Sequence, residues 1–561
     1  MTETHNSSSQ TVGGLETKVL WNRLQATADE MYDAAERLAF SFSIREGADA
    51  STAVMTADGD AIGLSDQSVP VLSGALSRTT KIILDEHFPP ETLEPGDTII
   101  TNDPWIGGGH LSDFVVLNPV FHNGDLAGLV GALGHTDDVG GNRGGWSTDA
   151  EQVYEEGILI PPTKLYEGGT RNDAIDDIVR GNVRIPHQAL GDLEALRSGN
   201  TLGEERLQET IEDYDRDTFD QVAAEVIDRS ERALRDELAA LPDGTYEESM
   251  TFEAADHEIT IEVAVIIDGD DLLIDFAGTS DQVDAGINCP FGNIVSVTEY
   301  VVKCMLVPDL PNAEGFFHPI EVTAPESSIL NCDRPKATMG RHITYSRAED
   351  VLIHALGQVI PEEALSEMAG IQLAPFSGED ETGQEFVAIG GTAGGMPPGA
   401  DHDGIPGVYF PYNGQSTPIE MFERYSPLRW EETALVPDTE GAGEYRSGPA
   451  TRTSYSNPTD RPAYFALTSG RADRDPAGFR GGQHGKRATV ESSVDDKEVP
   501  PNGPGVLAPG ETLTLVSATP GGYGDPENRD PERVAADLEK GIISEERARD
   551  VYGYDPETEA E

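Results

Sequence analysis

The sequence is poor in several residue types, and each shortage excludes a class of protein. Only three of 561 residues are cysteine and none forms a CxxC pair, which excludes a disulfide framework. No run reaches the roughly 18 consecutive apolar residues of a transmembrane helix. The polar start of the chain has no apolar signal-peptide core. We therefore predict a cytoplasmic protein with no membrane partner and with a disordered tail over residues 1–14.

Positive charge is scarce as well. The chain has 38 Lys and Arg, of which only 8 are Lys, against 102 Asp and Glu, so its formal net charge is −64. Such a polyanion repels phosphate, which excludes DNA and RNA as partners. The acid is spread over a chain that contains 17 Phe and 16 Tyr, so the composition is not that of a disordered protein. We hypothesise a halophilic protein of an acidic proteome, in which salt screens the self-repulsion.

Helical and strand-like patterns both occur, and the strands are paired mostly locally. Residues 15–42 and 207–241 have helical spacing, whereas 246–276 alternate like a β-meander. We predict an α+β, multi-domain fold with mixed, mostly antiparallel sheets, flanking helices and a Gly-rich, β-like C-terminal part. The predicted units are the tail (1–14), an N-terminal domain with a metal-binding hairpin (15–242), a central α/β domain (243–390) and a C-terminal domain ending in helices (391–561).

One predicted hairpin contains most of the candidate metal-binding residues. The apolar runs 114–121 and 126–133 are joined around Asn123-Gly124, a strong signal for a two-residue turn. With that turn, Ser112 is expected to face His135, and Asp113 points to the other face of the sheet. Glycines on both sides of the hairpin permit the bend that would bring the polar side chains together.

Two His-x-x-Asp units meet at the open end of this hairpin. They are His110 with Asp113, and His135 with Asp138. Two imidazoles and one or two carboxylates form a set of nitrogen and oxygen ligands for a divalent metal such as Mn, Fe, Co or Zn. The alternative is that these are polar loop residues on a Gly-rich bend of an acidic surface.

A second group of residues concentrates positive charge. Residues 335–347 contain Arg341, His342 and Arg347 in a chain that has few cations. The fork of an Arg guanidinium suits a carboxylate or phosphate group. The alternative is that these arginines neutralise nearby acids as structural ion pairs.

Several longer motifs resemble those of one family. NDPWIGGGHLSD (102–113) and GHTDDVGG (134–141) contain the two His-x-x-Asp units, and PIEMFERYSPLRW (418–430) and TPGGYGDPENRDPERVAADLEKG (519–541) are further matches. The chain resembles the hydantoinase B/5-oxoprolinase family, which is related to the acetone carboxylase alpha subunit. The resemblance covers nearly the full length. One departure is Thr136, where the family often has a second histidine next to His135.

The resemblance implies a metal site and a division of labour. It assigns His110, Asp113 and His135 as ligands of a divalent metal (Mn, Zn or Fe), with Asp138 as a further ligand or as a residue that orients the ligands. A hydantoinase A-like ATPase partner would bind ATP and phosphorylate the substrate oxygen in a hetero-oligomer. The sequence itself contains no GxxxxGK[ST] phosphate loop.

The function implied by the resemblance is ATP-dependent hydrolysis of a small cyclic amide, such as a hydantoin or a 5-oxoproline-like lactam. After activation by the partner, a metal-activated water attacks the ring. Asp138 is expected to accept the water proton, and Arg341 to hold a phosphate or substrate carboxylate. Two alternatives stay open: an acetone carboxylase alpha-like subunit for ketone carboxylation, and a non-catalytic scaffold for the ATPase.

Overall fold

A seven-stranded antiparallel sheet forms the first part of the computed structural model, which describes residues 14–142, 148–412, 414–494 and 497–555. Its strands, in the spatial order β2-β1-β5-β4-β3-β6-β7, are β1 (Ala50–Thr56), β2 (Ala61–Leu64), β3 (Thr98–Thr101), β4 (Asp113–His122), β5 (Asp125–His135), β6 (Thr163–Glu167) and β7 (Thr170–Arg171). The predicted tail over residues 1–14 lies, except for Gly14, outside the described residues.

Helices cover both faces of this sheet. They are α1 (Gly14–Leu38), α2 (Phe42–Arg45), α3 (Pro70–Glu86), α4 (Val153–Glu156), α5 (Asp173–Asn182), α6 (Pro186–Tyr214) and α7 (Arg216–Leu238). Val130 and Ala132 face α1 and α6, whereas the alternate residues Leu129 and Leu133 face α3. Because both faces are buried, β4 and β5 are apolar along most of their length.

A second, four-stranded sheet has the order β11-β10-β9-β8, and only its pair β10–β11 is parallel. Its strands and the two helices beside it are β8 (Gly244–Ala254), β9 (His257–Asp268), β10 (Asp271–Asp275), β11 (Ile320–Thr323), α8 (Phe291–Leu306) and α9 (Arg341–Leu356). Alternate residues of β9 are buried against α9. The same core reaches α3 through α8, so α9 lies near the α3 face of the first sheet.

Two further four-stranded sheets form a sandwich in the C-terminal part. Their orders are β13-β12-β16-β18 and β14-β15-β19-β17, and the core between them includes Phe376, Phe422, Tyr455 and Phe465. Their elements are β12 (Ile371–Glu379), β13 (Glu385–Ala393), α10 (Ile419–Tyr425), β14 (Arg429–Val436), β15 (Ala450–Ser456), β16 (Ala463–Ser469), β17 (Thr489–Ser492), β18 (Gly503–Leu507), β19 (Thr512–Val516), α11 (Pro531–Glu539) and α12 (Glu545–Tyr552).

The α+β class with mostly antiparallel sheets is confirmed. The single helix expected over 207–241 is wrong, because the chain there belongs to two helices, α6 and α7, which are separated at Asp215. Asp215 has a positive φ of 62°, and its side chain caps α7 by accepting a hydrogen bond from the backbone of Thr218. The domain limits at 242 and 390 stay a prediction. Among the described residues, no helix combines the length and apolarity that crossing a membrane requires.

Candidate metal centre and active site

Asp113 and His135 are directly opposite residues of the β4–β5 pair. The expectation that Ser112 faces His135 is therefore wrong, and Asp113 does not point to the other face. Both side chains lie on the α3 face of the sheet, because they alternate in phase with Leu117 and Leu133. The hairpin itself places the carboxylate beside the imidazole.

A β-bulge near the turn causes this register. Phe121 pairs with Leu126, as a two-residue turn requires, but Val120 then pairs with Gly128. Ala127 is therefore an extra residue in β5, and every later pair is shifted by one. Since side chains alternate between faces, a shift of one residue moves a whole set of side chains to the opposite face.

His110 joins this pair from the loop before β4. Its Nδ1 lies 2.9 Å from Asp113 Oδ2, and its ring centre lies 4.8 Å from that of His135. His135 Nδ1 lies 3.4 Å from the other carboxylate oxygen of Asp113. Glycines let this loop turn so closely: a side chain at Gly108 would collide with the Asp113 carboxylate, and one at Gly109 (φ 96°) with Asn293.

The electrostatics of the three residues are coupled. Burial alone would raise the pKa of Asp113, but His110 and Arg341 outweigh it and hold that pKa below its usual range. Burial, together with the nearby Arg341 charge, lowers the pKa of His110 to about 3. Burial opposes protonation of His135, yet Asp113 and Asp49 raise its pKa. The His110 imidazole is thus neutral, whereas its surroundings favour the protonated form of His135 more than water does.

These three side chains could hold a divalent metal. One ligand atom from each of His110, Asp113 and His135 lies within 4.8 Å of the others, and all three residues are buried. Two ligands of one ion, each about 2.0–2.2 Å from it, are at most about 4.4 Å apart, so small side-chain shifts would close the site. Nitrogen and oxygen donors of this kind suit Mn, Fe or Zn.

Arg341 supports the centre from the first residue of α9. Its Nη2 lies 2.9 Å from Asp113 Oδ2 and donates a second hydrogen bond to the carbonyl oxygen of Gly108. The residue is 5% exposed. It therefore positions the carboxylate of a candidate ligand, which differs from the expected contact with substrate. Arg347 pairs with Asp473, as the structural alternative requires.

Asp138 is not brought into the centre. Its Oδ1 accepts hydrogen bonds from the backbone of Gly140 and the side chain of Arg184, and its Oδ2 accepts from the backbone of Arg184 and Ile185. Both oxygens are thus used to hold the segment that leads into α6. The expected roles of Asp138 as a base or a ligand have no geometric support.

The three candidate ligands line a cavity of about 140 Å³. Reasoning from the sequence missed several polar residues of its wall, and we single out four of them: Asp49, Tyr409, Tyr412 and Gln415. Asp49 precedes β1, and its Oδ2 lies 3.7 Å from His135 Nδ1. Burial raises the pKa of Asp49 to about 6, an effect that His135 partly offsets. None of the four belongs to a recognisable motif, and only folding brings them here.

A larger cavity of about 1120 Å³ lies beside this pocket. The two share Tyr409, Gly414 and Gln415 in their walls. The segment that follows β13 thus separates the candidate metal centre from a wide, open space beside α1 and α8.

Comparison with known protein families identifies the family of this chain. A family model described as hydantoinase B/oxoprolinase matches residues 14–526. The chain belongs to this family. The resemblance inferred from the motifs is confirmed.

This hydantoinase B/oxoprolinase family member is similar to three proteins of known name or structure. A Pseudomonas protein (strain NS671), provisionally named as the B component of a D-/L-hydantoinase, is 30% identical, over 96% of this chain and 94% of that protein. The crystal structure of the ATP-dependent caprolactamase from Pseudomonas jessenii is similar with a TM-score of 0.87 and 26% identity, over 97% of this chain and 96% of the other. Nucleotide-free acetone carboxylase has the same fold, with a TM-score of 0.82 and 19% identity, over 96% of this chain and 79% of the other.

Proposed function

We propose that this chain is the ring-opening component of an ATP-dependent cyclic amidase. The observation that carries the proposal is the buried group of His110, Asp113 and His135 in a small pocket. An amide ring resists water, so hydrolysis needs an activated carbonyl and an activated nucleophile. The relatives named as a hydantoinase component and as caprolactamase support this class of substrate.

The side chains of the pocket divide the work. A divalent metal held by His110, Asp113 and His135 would polarise a substrate oxygen or lower the pKa of a water. Arg341 keeps the Asp113 carboxylate ionised and oriented toward the two imidazoles. Asp49 lies in the pocket wall next to His135 and is placed to accept the proton of the attacking water. Asp49 takes the role that the sequence pattern assigned to Asp138.

A partner chain would supply the ATP chemistry. The sequence has no GxxxxGK[ST] loop, and two relatives carry names that imply assemblies with more than one kind of chain, as the B component of a hydantoinase and the beta component of a caprolactamase. We propose a hydantoinase A-like ATPase as that partner, in a cytoplasmic hetero-oligomer that operates at high salt.

Ketone carboxylation is the second candidate, and the shared fold with acetone carboxylase favours it. Likeness at 19% identity extends to the fold alone, and that chain is longer, since only 79% of it is covered. The caprolactamase structure is covered over 96% of its length, which agrees better with amide chemistry.

One substrate panel tests the proposal. The chain, reconstituted with its ATPase partner, is given hydantoin, 5-oxoproline, 2-pyrrolidinone, caprolactam and acetone with bicarbonate, and ATP turnover and products are followed. Opening of any amide ring with ATP consumption is the expected result. Carboxylation of acetone alone would favour the second candidate. Absence of stoichiometric metal and of any turnover would indicate a scaffold.

A further inference from the structure

His342 is a buried histidine that the proposed chemistry does not use. It is the second residue of α9, is 6% exposed, and lines the same 140 Å³ cavity as the candidate metal ligands. Its Nε2 has no hydrogen-bond partner within the part of the chain that the structure describes. A buried polar atom without a hydrogen-bond partner costs free energy. The unpaired Nε2 of His342 therefore points to a partner that is present when the protein functions, such as a bound ligand.

His342 is not one of the candidate metal ligands. Among the described residues, the group that could hold an ion contains His110, Asp113 and His135 and does not include His342. Burial and the neighbouring Arg341 lower the pKa of His342 to about 3. A neutral imidazole has one donor and one acceptor nitrogen, so it can hydrogen-bond a neutral polar group but adds no charge to the pocket.

A large part of the wall is apolar. The lining side chains without a polar atom in a hydroxyl, amide, imidazole or charged group are Phe42, Val69, Val71, Leu72, Met339, Ile371, Leu373 and Ile389. The one cationic Lys or Arg side chain among the lining residues is Arg341, whose Nη2 is bound to Asp113. A volume of 140 Å³ corresponds to about five waters of roughly 30 Å³ each, which suits a small monocyclic compound.

We propose that His342 hydrogen-bonds the amide group of a small, uncharged lactam whose methylene groups rest on the apolar wall. This inference rests on the proposed function and adds its substrate class. An amide offers both an N–H and a C=O, so either tautomer of His342 finds a partner. A carboxylate on the ring, as in 5-oxoproline, would find no Lys or Arg among the lining residues other than Arg341, which already pairs with Asp113, so its desolvation would be costly.

The first test replaces the imidazole. In the complex with the ATPase partner, His342→Leu is expected to raise KM for 2-pyrrolidinone about tenfold with kcat little changed, because a binding contact is lost. His342→Gln, which keeps a donor and an acceptor, should stay within about threefold of the unaltered chain. Metal content, measured by mass spectrometry, should be the same in all three proteins.

A matched control lies on the same helix. His354 is a half-buried histidine of α9, but it stacks on Phe479 and lies outside the pocket lining. His354→Leu should leave KM unchanged. An unchanged KM in His342→Leu, or an equal rise in both leucine variants, would overturn the assignment. If His342→Leu fails to fold, His342→Met serves the same comparison.

The second test compares two rings that differ only by a carboxylate. We expect 2-pyrrolidinone to have a kcat/KM at least about a hundredfold above that of 5-oxoproline. Equal or reversed values would overturn the uncharged-lactam inference while leaving amide hydrolysis in place. Failure to open any of the four amide rings, namely hydantoin, 5-oxoproline, 2-pyrrolidinone and caprolactam, would refute the proposed function itself.

Discussion

Asp113 and His135 face each other across β4 and β5, with His135 Nδ1 3.4 Å from Asp113 Oδ1, because Ala127 is an extra residue in β5. Without that bulge, Asp113 would lie on the opposite face of the sheet from His135. The bulge also sets both side chains on the face toward α9, so that Arg341 reaches the same carboxylate. One irregular residue near a turn thus decides the composition of a site at the other end of the hairpin.

Removal of a candidate ligand should remove the metal. His110→Ala is expected to lose both bound metal and ring-opening activity, because the remaining two ligands form a much weaker site. Mass spectrometry of the purified chain and the ATP-coupled assay measure the two effects. His122→Ala, at the turn end of the same strand β4, is the control and should keep both. Retention of metal in His110→Ala would show that the ligand assignment is wrong.

A bound metal should restore part of the stability that is lost when Arg341 is replaced. Arg341→Met removes the guanidinium partner of the buried Asp113 carboxylate and should lower the free energy of unfolding by about 3–5 kcal/mol in metal-free protein. A bound divalent cation replaces the lost charge, so the deficit should shrink when Mn or Zn is added. Urea unfolding with and without metal measures this. A deficit that metal does not change would argue against an ion next to Asp113.

Glu299 should make the protein less stable at alkaline pH. Burial raises the pKa of this α8 carboxyl to about 8, an effect that Arg78 partly offsets. Since the folded-state pKa lies above that of the unfolded chain, stability is fully present below about pH 4.5 and is lost as pH rises through about 8.

Two Glu→Gln variants, one buried and one exposed, test this pH effect. Glu299→Gln should flatten the loss of melting temperature between pH 6 and 9, whereas Glu212→Gln, at an exposed position of α6, should follow the unaltered protein. Parallel curves for all three proteins would contradict a buried, protonated Glu299.

Salt should stabilise the fold. A net charge of −64 repels itself over about 10 Å at 0.1 M salt but over only about 3 Å at 1 M. The melting temperature should therefore rise with KCl, and more than with sucrose at equal osmolality, since sucrose does not screen charge. A chain that keeps its fold and activity in dilute buffer would refute the halophilic hypothesis.

The local patterns of the sequence were enough to predict much of the fold. The Asn123-Gly124 turn, the helical spacing of α1 and the alternation in β8 to β10 depend on near neighbours, and each appears in the structure. The motifs around His110 and His135 identified the family for the same reason, since they are contiguous. The break between α6 and α7 was missed, because it depends on one residue, Asp215, with a positive φ.

What the sequence by itself determined is therefore the class of fold, the family and the three candidate ligands. Tertiary structure alone decided which other groups share their pocket: it placed Asp49 and His342 there, used Asp138 to hold the start of α6, and turned Arg341 onto Asp113. The physical reason is distance along the chain. Spacing predicts contacts within a hairpin or a helix, but contacts between segments tens to hundreds of residues apart depend on how sheets and helices pack, and here on one bulge in β5.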